Sequence, residues 1–537
     1  MSINIRIPPL FEEIQQAMGS PGFYPHEVFN LERRDTHISS VFLTGRWVYK
    51  LKKPLDFGFL DFGSLEARHR FCQCEVSLNR RLSQGVYEDV VAIRQTEDGG
   101  LNLEGRGKTV EYAVKMRQLP DDAGLDRLLA RNRTTSEDMR KLGRTLAAFY
   151  ETAQRGPDID RYGSREAISF NVEENFRQLE PFVDRFPDRE KWDLLCQVSR
   201  HFLEHHPALF QRRVDEGRIR DGHGDLRAEH VYFQDGIQII DCIEFNDRFR
   251  YGDVALDLAF LHSDMEHQGH GESSRAVLAA YAEGAGDPGL YAVLDFYAAY
   301  RAVVRLKVAC FRSEETEGEE KSRCLEKART YLDQAYRYAV QFGLPTLWVF
   351  CGLPASGKST LAEATADALS LSVFESDRVR KEEPKEGAPQ VSPFGEGPYR
   401  EAMRHRVYAR LLARAQDQLK SGRSVVLDAT FSRRKWREDA RQLARDVDAN
   451  LVFVECACAE STLRSRMEAR EKEPGLSDAR LRHLPRMIAA FEPPVECTPS
   501  TLVRVSTDRS PREALGELLA ESYARRSEQV MERIGKT

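Results

Sequence analysis

Residues 346–369 leave few folds open. Thr346–Cys351 (Thr-Leu-Trp-Val-Phe-Cys) is a short apolar run suited to a buried strand, and Ser359–Leu369 is Ala/Leu-rich with helical spacing. Between them runs Gly352-Leu353-Pro354-Ala355-Ser356-Gly357-Lys358-Ser359-Thr360, which contains the Walker A pattern Gly-x-x-x-x-Gly-Lys-Ser. Each defined position meets a demand of a bound nucleotide. Gly352 and Gly357 let backbone N–H groups close around phosphate oxygens, Lys358 sets a cation against the β- and γ-phosphates, and Ser359 offers a hydroxyl to Mg²⁺. A strand, a loop and a helix N-terminus facing an anion is the arrangement phosphate binding needs.

The residues after this loop alternate strand and helix patterns. Strands are expected at 371–375, 424–428, 451–455 and 501–505, with helices at 399–419 and 461–472. That alternation predicts an α/β domain over 345–537 built on a parallel sheet with both faces covered. In such a sheet, ligands bind at the C-terminal ends of the strands. Asp377, just past the second strand, is therefore a candidate base for an attacking hydroxyl, with Arg380 stabilising anionic substrate or transition state. Val425-Val426-Leu427-Asp428 is an apolar strand ending in an acid, the Walker B arrangement for holding Mg²⁺. Arg466 and Arg470, spaced i,i+4, share a helix face and are expected to close on the phosphates as a lid. The Glu-, Pro- and Gly-rich segment 382–398 reads as a mobile loop beside the site.

The first 340 residues have a different pattern. Strand-like runs fall at 41–43, 47–51, 90–93 and 112–116, and helical patterns dominate 134–212. Residues 312–328 are charge-dense and read as a solvated loop running into a helix, which Gly343 and Pro345 then end. A small β-rich lobe followed by a helical lobe predicts an α+β, kinase-like bilobal domain over 1–340. Its most informative segment is His223-Gly224-Asp225-Leu226-Arg227-Ala228-Glu229-His230, followed by the apolar Ile239-Ile240 and Asp241. Phosphoryl transfer to a hydroxyl uses one acid in a tight turn to address the acceptor, and a second at a strand end to hold Mg²⁺.

This N-terminal set resembles the aminoglycoside phosphotransferase family, whose signature is a His-Gly-Asp catalytic loop. The resemblance covers about residues 20–310. It implies that Asp225 addresses the acceptor, that Asp241 binds metal, and that carboxylates within Arg250–Ala259 brace the catalytic loop. It also implies that Lys50 contacts nucleotide phosphates and that Glu75 pairs with Lys50. Two departures stand out: the loop before Lys50 reads His37-Ile38-Ser39-Ser40-Val41-Phe42-Leu43 rather than a glycine-rich turn, and His230 occupies the second metal position, normally Asn. Neutral histidine binds metal but prefers softer ions than Mg²⁺. The C-terminal set resembles the P-loop kinases that phosphorylate hydroxyls, including the zeta-toxin, gluconate kinase and polynucleotide 5′-kinase groups. Together the halves resemble bacterial fusions of these two domains.

At 537 residues, 41% hydrophobic and 31% charged, the chain is a multidomain globular protein. A net charge of −6 speaks against a general nucleic-acid binder, and no apolar run reaches the roughly 18 residues of a membrane span. The N-terminus lacks a signal core, and ten cysteines show no zinc-ligand spacing, so a cytoplasmic protein with reduced thiols is expected. The favoured reading is a bifunctional kinase that uses ATP and Mg²⁺ on a hydroxyl-bearing small molecule. The alternative is a C-terminal kinase for nucleic-acid 5′-hydroxyls or nucleotide sugars, with a regulatory or binding N-terminal half.

Overall fold

The computed structural model describes residues 8–58, 60–186, 188–382, 401–471 and 480–534. Two compact units emerge. The first ends one stretch at Gly163 and adds Val214–Val277; the second comprises Ser164–Arg213 and everything from Leu278 onward.

The first unit is built on six antiparallel strands: β1 (Glu32–Asp35), β2 (Ser39–Leu43), β3 (Trp47–Lys52), β4 (Tyr87–Gln95), β5 (Leu101–Leu103) and β6 (Lys108–Arg117), in the order β1-β2-β3-β6-β4-β5. Strand alternation sorts the residues of β3 by face. Tyr49 and Leu51 pack with Phe11, Ile14 and Met18 of the first helix. Val48 faces the other way, packing with Cys72 and Val76 of the Leu65–Asn79 helix, and Lys50 and Lys52 share its face. Strand β2, Ser39–Leu43, agrees with the strand-like run at 41–43 and extends it back to Ser39, paired in register with β3; the reading of His37–Leu43 as a loop is thereby corrected, since only residues 36–38 turn. Buried Ser39, Ser40, Phe42 and Leu43 hold it in the sheet.

Past the Ser136–Thr152 helix, the same unit resumes with short strands β7 (Ile219–Asp221), β8 (Val231–Phe233), β9 (Ile237–Ile239) and β10 (Tyr251–Asp253). β7 pairs with β10 and β8 with β9, so two small hairpin-like pairings frame the His223–Asp241 segment. The Val254–His267 helix follows, capped by Asp253, which accepts from Ala255 N.

The second unit contains five parallel strands, β11 (Thr346–Cys351), β12 (Ser372–Glu375), β13 (Val425–Asp428), β14 (Asn450–Ala457) and β15 (Leu502–Ser506), ordered β12-β13-β11-β14-β15. β11 lies at the centre and every one of its residues is buried, which is why its sequence is an unbroken apolar run rather than an alternation. Helices at Lys358–Leu369, Glu401–Lys420, Arg434–Asp446, Glu460–Glu471 and Pro511–Ile534 flank the sheet. The last is pinned by Tyr523, whose hydroxyl donates to Asp295 at 2.7 Å.

The charge-dense stretch 312–328 corrects a second expectation. Helices Leu290–Glu315 and Gly318–Gly343 leave only residues 316 and 317 between them. Its charges line solvent-facing sides while Cys310, Ser313, Cys324 and Ala328 are buried between elements, and Arg312 pairs with Glu320 across the turn. Residues 383–400, most of the expected loop, lie outside the described residues.

Candidate functional site

In the first unit, the loop after β7 is held by one acid. Asp257 accepts from His223 N at 2.7 Å, Gly224 N at 2.8 Å and the Tyr150 hydroxyl at 2.9 Å. Gly222 is required there because a Cβ would lie 2.5 Å from Asp257 Oδ2, and Gly224 sits at φ +88. The expected brace from the Arg250–Ala259 stretch is thus Asp257. His223 Nε2 contacts Ile240 O at 2.9 Å, and Asp225 N donates to His223 Nδ1 at 3.3 Å, which assigns a neutral Nε2–H tautomer. Burial lowers this imidazole to about 4, in keeping with that neutral form.

Asp225 projects from this loop into a set of charges. Arg227 Nε and Nη2 grip its two oxygens at 3.1 and 2.9 Å. Burial would raise the Asp225 carboxyl, but Arg227 and His230 outweigh it and hold the group down at about 2. Arg227 also pairs with Glu229. His230 Nδ1 contacts Asp225 O at 2.8 Å, and its Nε2 lies 3.6 Å from Asp241 Oδ2 and 3.2 Å from Arg227 Nη2. The proposed acceptor acid, metal acid and histidine therefore do come together.

Asp241 follows β9 in a left-handed conformation, φ +65, with its N–H donated to the Tyr87 hydroxyl at 3.2 Å. Its side chain keeps 44% exposure, open to the site, and Lys50 Nζ lies 2.5 Å from Oδ1. Lys50 also lies 2.9 Å from Glu75 Oε1. Burial pulls the Lys50 amine down, yet Asp241 and Glu75 together push it well above its ordinary value, so it stays a cation. Burial likewise opposes ionisation of Glu75, which Lys50 and Lys52 nevertheless keep below the usual carboxylate range. Lys52 and Glu244 join this cluster without a sequence signal, because nothing in a run of lysines tells which one turns inward.

In the second unit, the loop between β11 and the Lys358–Leu369 helix takes the conformation a phosphate cradle requires. Gly352 (φ +147), Ala355 (φ +66) and Gly357 (φ +81) turn the chain, and Gly352 N donates to Thr430 O at 3.1 Å. A Cβ at Gly352 would stand 2.6 Å from Cys456 O and 2.8 Å from Ser356 Oγ. Lys358 and Ser359 open the helix, half-buried, with Thr360 exposed behind them and Leu353 and Pro354 half-buried in the loop. Asp428 ends β13 beside β11, in register with Phe350, and is buried. Its Oδ1 and the Ser356 Oγ are buried atoms without a hydrogen-bond partner among the described residues. Buried polar atoms normally find partners, so an orphaned carboxylate oxygen beside this loop fits a cation site.

Glu375 ends β12 in register with Asp428, a second acid that the sequence reading passed over. Burial raises its carboxyl, with Asp428 adding to the effect against Arg378. Asp377, in the first turn of the Ser376–Glu382 helix, is gripped by Arg380 at 2.8 Å, so these two candidates meet each other directly. Arg466 reaches the back of the loop: Nη1 lies 3.4 Å from Ala355 O, and Nη2 donates to Thr507 O at 2.6 Å. Thr507 in turn donates to Ser356 O at 2.6 Å. Arg470, one turn along, is exposed. Thr507 had no sequence signal, lying about 150 residues from the loop it supports.

Comparison with known proteins matches residues 72–297 to the phosphotransferase enzyme family and 347–494 to an AAA domain. An uncharacterized protein of Mycobacterium tuberculosis is 32% identical over 452 residues, 84% of this chain and 88% of that protein, and one of Mycobacterium bovis matches equally. Among solved structures, a gluconokinase from Sinorhizobium meliloti is 25% identical, covering 35% of this chain and 98% of its own, with a TM-score of 0.28. Aminoglycoside 2′-phosphotransferase-IIIa is 16% identical, covering 61% of this chain and 99% of its own, with a TM-score of 0.36. No helix among the described residues is long and apolar enough to cross a membrane. The chain belongs to the family of these mycobacterial proteins, and it carries a kinase-like phosphotransferase domain followed by a P-loop kinase domain.

Proposed function

We propose that the chain is a two-site kinase, each site transferring the γ-phosphoryl group of ATP to a hydroxyl of a small-molecule acceptor. The observation that carries this reading is that each unit holds its own lysine and its own pair of acids: Lys50, Asp225 and Asp241 in one, Lys358, Asp377 and Asp428 in the other. Mg²⁺, when bound, would supply positive charge against the phosphates. Asp241, with His230 beside it, would hold it in the first site, and Ser359 with Asp428 in the second.

Phosphoryl transfer needs little covalent help from a protein; positioning and charge stabilisation do most of the work. Lys50, oriented by Glu75, aligns phosphates in the first site. Asp225, held near 2, is a weak base, so it orients the acceptor hydroxyl and receives its proton late, as the new P–O bond forms. In the second site the Gly352–Thr360 backbone and Lys358 bind phosphates, Arg466 and Thr507 hold the loop's shape from behind, and Arg470 stands exposed on the same helix. Asp377 addresses the second hydroxyl, and Arg380 holds its carboxylate in place and offers a cation to an anionic acceptor or transition state.

One observation favours a second reading, a regulatory N-terminal half beside a C-terminal kinase for nucleic-acid ends or nucleotide sugars: Arg227 occupies both oxygens of Asp225. Calorimetric titration with Mg-ATP tests the two-site proposal. Two nucleotides per chain, one lost in Asp241→Ala and the other in Lys358→Ala, is the expected result; a single site abolished by Lys358→Ala alone contradicts it.

A further inference from the structure

Lys52 lies two residues beyond Lys50 on β3, so both side chains leave the same face of the sheet. Its side chain is 1% exposed. Its Nζ lies 2.6 Å from Glu75 Oε2, pairs with Glu244 Oε1, and stands 4.9 Å from the centre of the Phe62 ring. Glu75, fully buried, thus divides its carboxylate, Oε1 to Lys50 and Oε2 to Lys52. Glu244 follows Asp241 by three residues. One sealed cation therefore ties together the strand that carries Lys50, the helix that carries Glu75 and the segment behind Asp241.

Stability alone gives a poor account of such a cluster. Desolvating charges costs several kcal/mol per ion, roughly, and apolar residues of similar volume often replace buried ion pairs without loss. What apolar residues cannot do is fix where two carboxylates point. Without Lys52, Glu75 would be free to turn both oxygens to Lys50, and the Asp241–Glu244 segment would lose its tie to the sheet.

We propose that Lys52 is a positioning residue of the N-terminal site: by gripping Glu75 and Glu244 it fixes the spacing of Lys50 and Asp241 before nucleotide binds. This rests on the N-terminal phosphotransfer reading above. Lys52 touches neither nucleotide nor acceptor and acts through Glu75 and Glu244.

The test uses the full-length chain with Lys358→Ala, which silences the P-loop site, and Mg-ATP with a pooled small-molecule extract as acceptor. Asp225-dependent ADP release gives kcat and KM for ATP, and thermal unfolding gives stability. Adding Lys52→Met together with Glu244→Gln removes one positive and one negative charge, so the formal charge of the cluster is unchanged. The expected result is a melting temperature near the parent's and a KM for ATP little changed, with kcat down about tenfold to a hundredfold, as misplacement near reacting groups costs. Parental kcat in the double variant overturns the proposal and makes the cluster purely structural. A parent without Asp225-dependent ADP release overturns the N-terminal reading, and the proposal with it. Should the double variant fail to fold, acylation of the native Lys358→Ala parent decides: Lys52 unreactive while exposed Lys108 reacts supports the sealed tie, and equal reactivity overturns it.

Discussion

Arg227 holds Asp225 by two parallel contacts, Nε to Oδ1 at 3.1 Å and Nη2 to Oδ2 at 2.9 Å, across only two residues of chain. The acid meant to address the acceptor is thus fixed in direction and ionised over the whole neutral range. A bidentate arginine fork both orients a carboxylate and lowers its basicity.

Arg227→Gln should therefore raise the pKa of Asp225. The folded value is depressed to about 2 from an ordinary one of roughly 4, so the stabilisation from this pair is complete above about 4 and is lost as pH falls through about 2. Without Arg227, burial acts unopposed except by His230, and the acid limb of N-terminal kcat/KM should move to higher pH. A pH–rate profile checks this, and an unmoved acid limb would remove Asp225 from the role assigned to it.

Asp257→Ala should unfold the catalytic loop before it touches chemistry. It strands the buried N–H groups of His223 and Gly224 and the Tyr150 hydroxyl, at about 1–3 kcal/mol per unsatisfied group. Tyr150→Phe removes the hydroxyl's bond to Asp257 but leaves the two loop N–H groups satisfied, so it should cost less, about 1 kcal/mol. Urea titration of both variants gives the comparison, and equal midpoints would contradict the brace.

Asp428→Asn should separate stability from binding. Its Oδ1 is already buried without a hydrogen-bond partner among the described residues, so removing the charge should leave the melting temperature equal or higher. Mg-dependent ATP affinity at the P-loop should fall roughly tenfold or more, since even residues behind a metal ligand have effects of that size. Titrating Mg²⁺ at fixed ATP reads it directly.

Thr507→Val should weaken the P-loop from behind. The hydroxyl that donates to Ser356 O is lost, a cost of about 1 kcal/mol. KM for ATP should rise at the C-terminal site while Asp225-dependent turnover stays unchanged. A parallel loss at both sites would show that the substitution acts through global unfolding.

What could be read in the sequence followed the range of the interactions concerned. The Gly352–Ser359 loop, the buried run of β11 and the His223–Asp241 spacing are local patterns, and the strands of the second unit fall within one or two residues of their expected ends, whereas β4 and β6 begin three and four residues before the expected runs. Lys50 and Glu75 were found through a family pattern that names both. Lys52 escaped because a Lys-Leu-Lys-Lys run carries no sign of which amine is buried, and that depends on Glu244, 192 residues away. Thr507 and Arg466 support Ala355 and Ser356 across sheet topology that spacing does not encode. The charged 312–328 stretch misled because charge density marks a solvated face, and helices present such faces as readily as loops do.

The most direct test of two-site kinase activity is ADP release from Mg-ATP with a pooled small-molecule extract as acceptor, comparing the unaltered chain with Asp225→Ala, Lys358→Ala and both together. The account predicts that each single variant removes a distinct part of the acceptor-dependent rate and that the pair removes all of it. An unaffected rate in Asp225→Ala, with complete loss in Lys358→Ala, would contradict it and leave the N-terminal half a binding or regulatory domain.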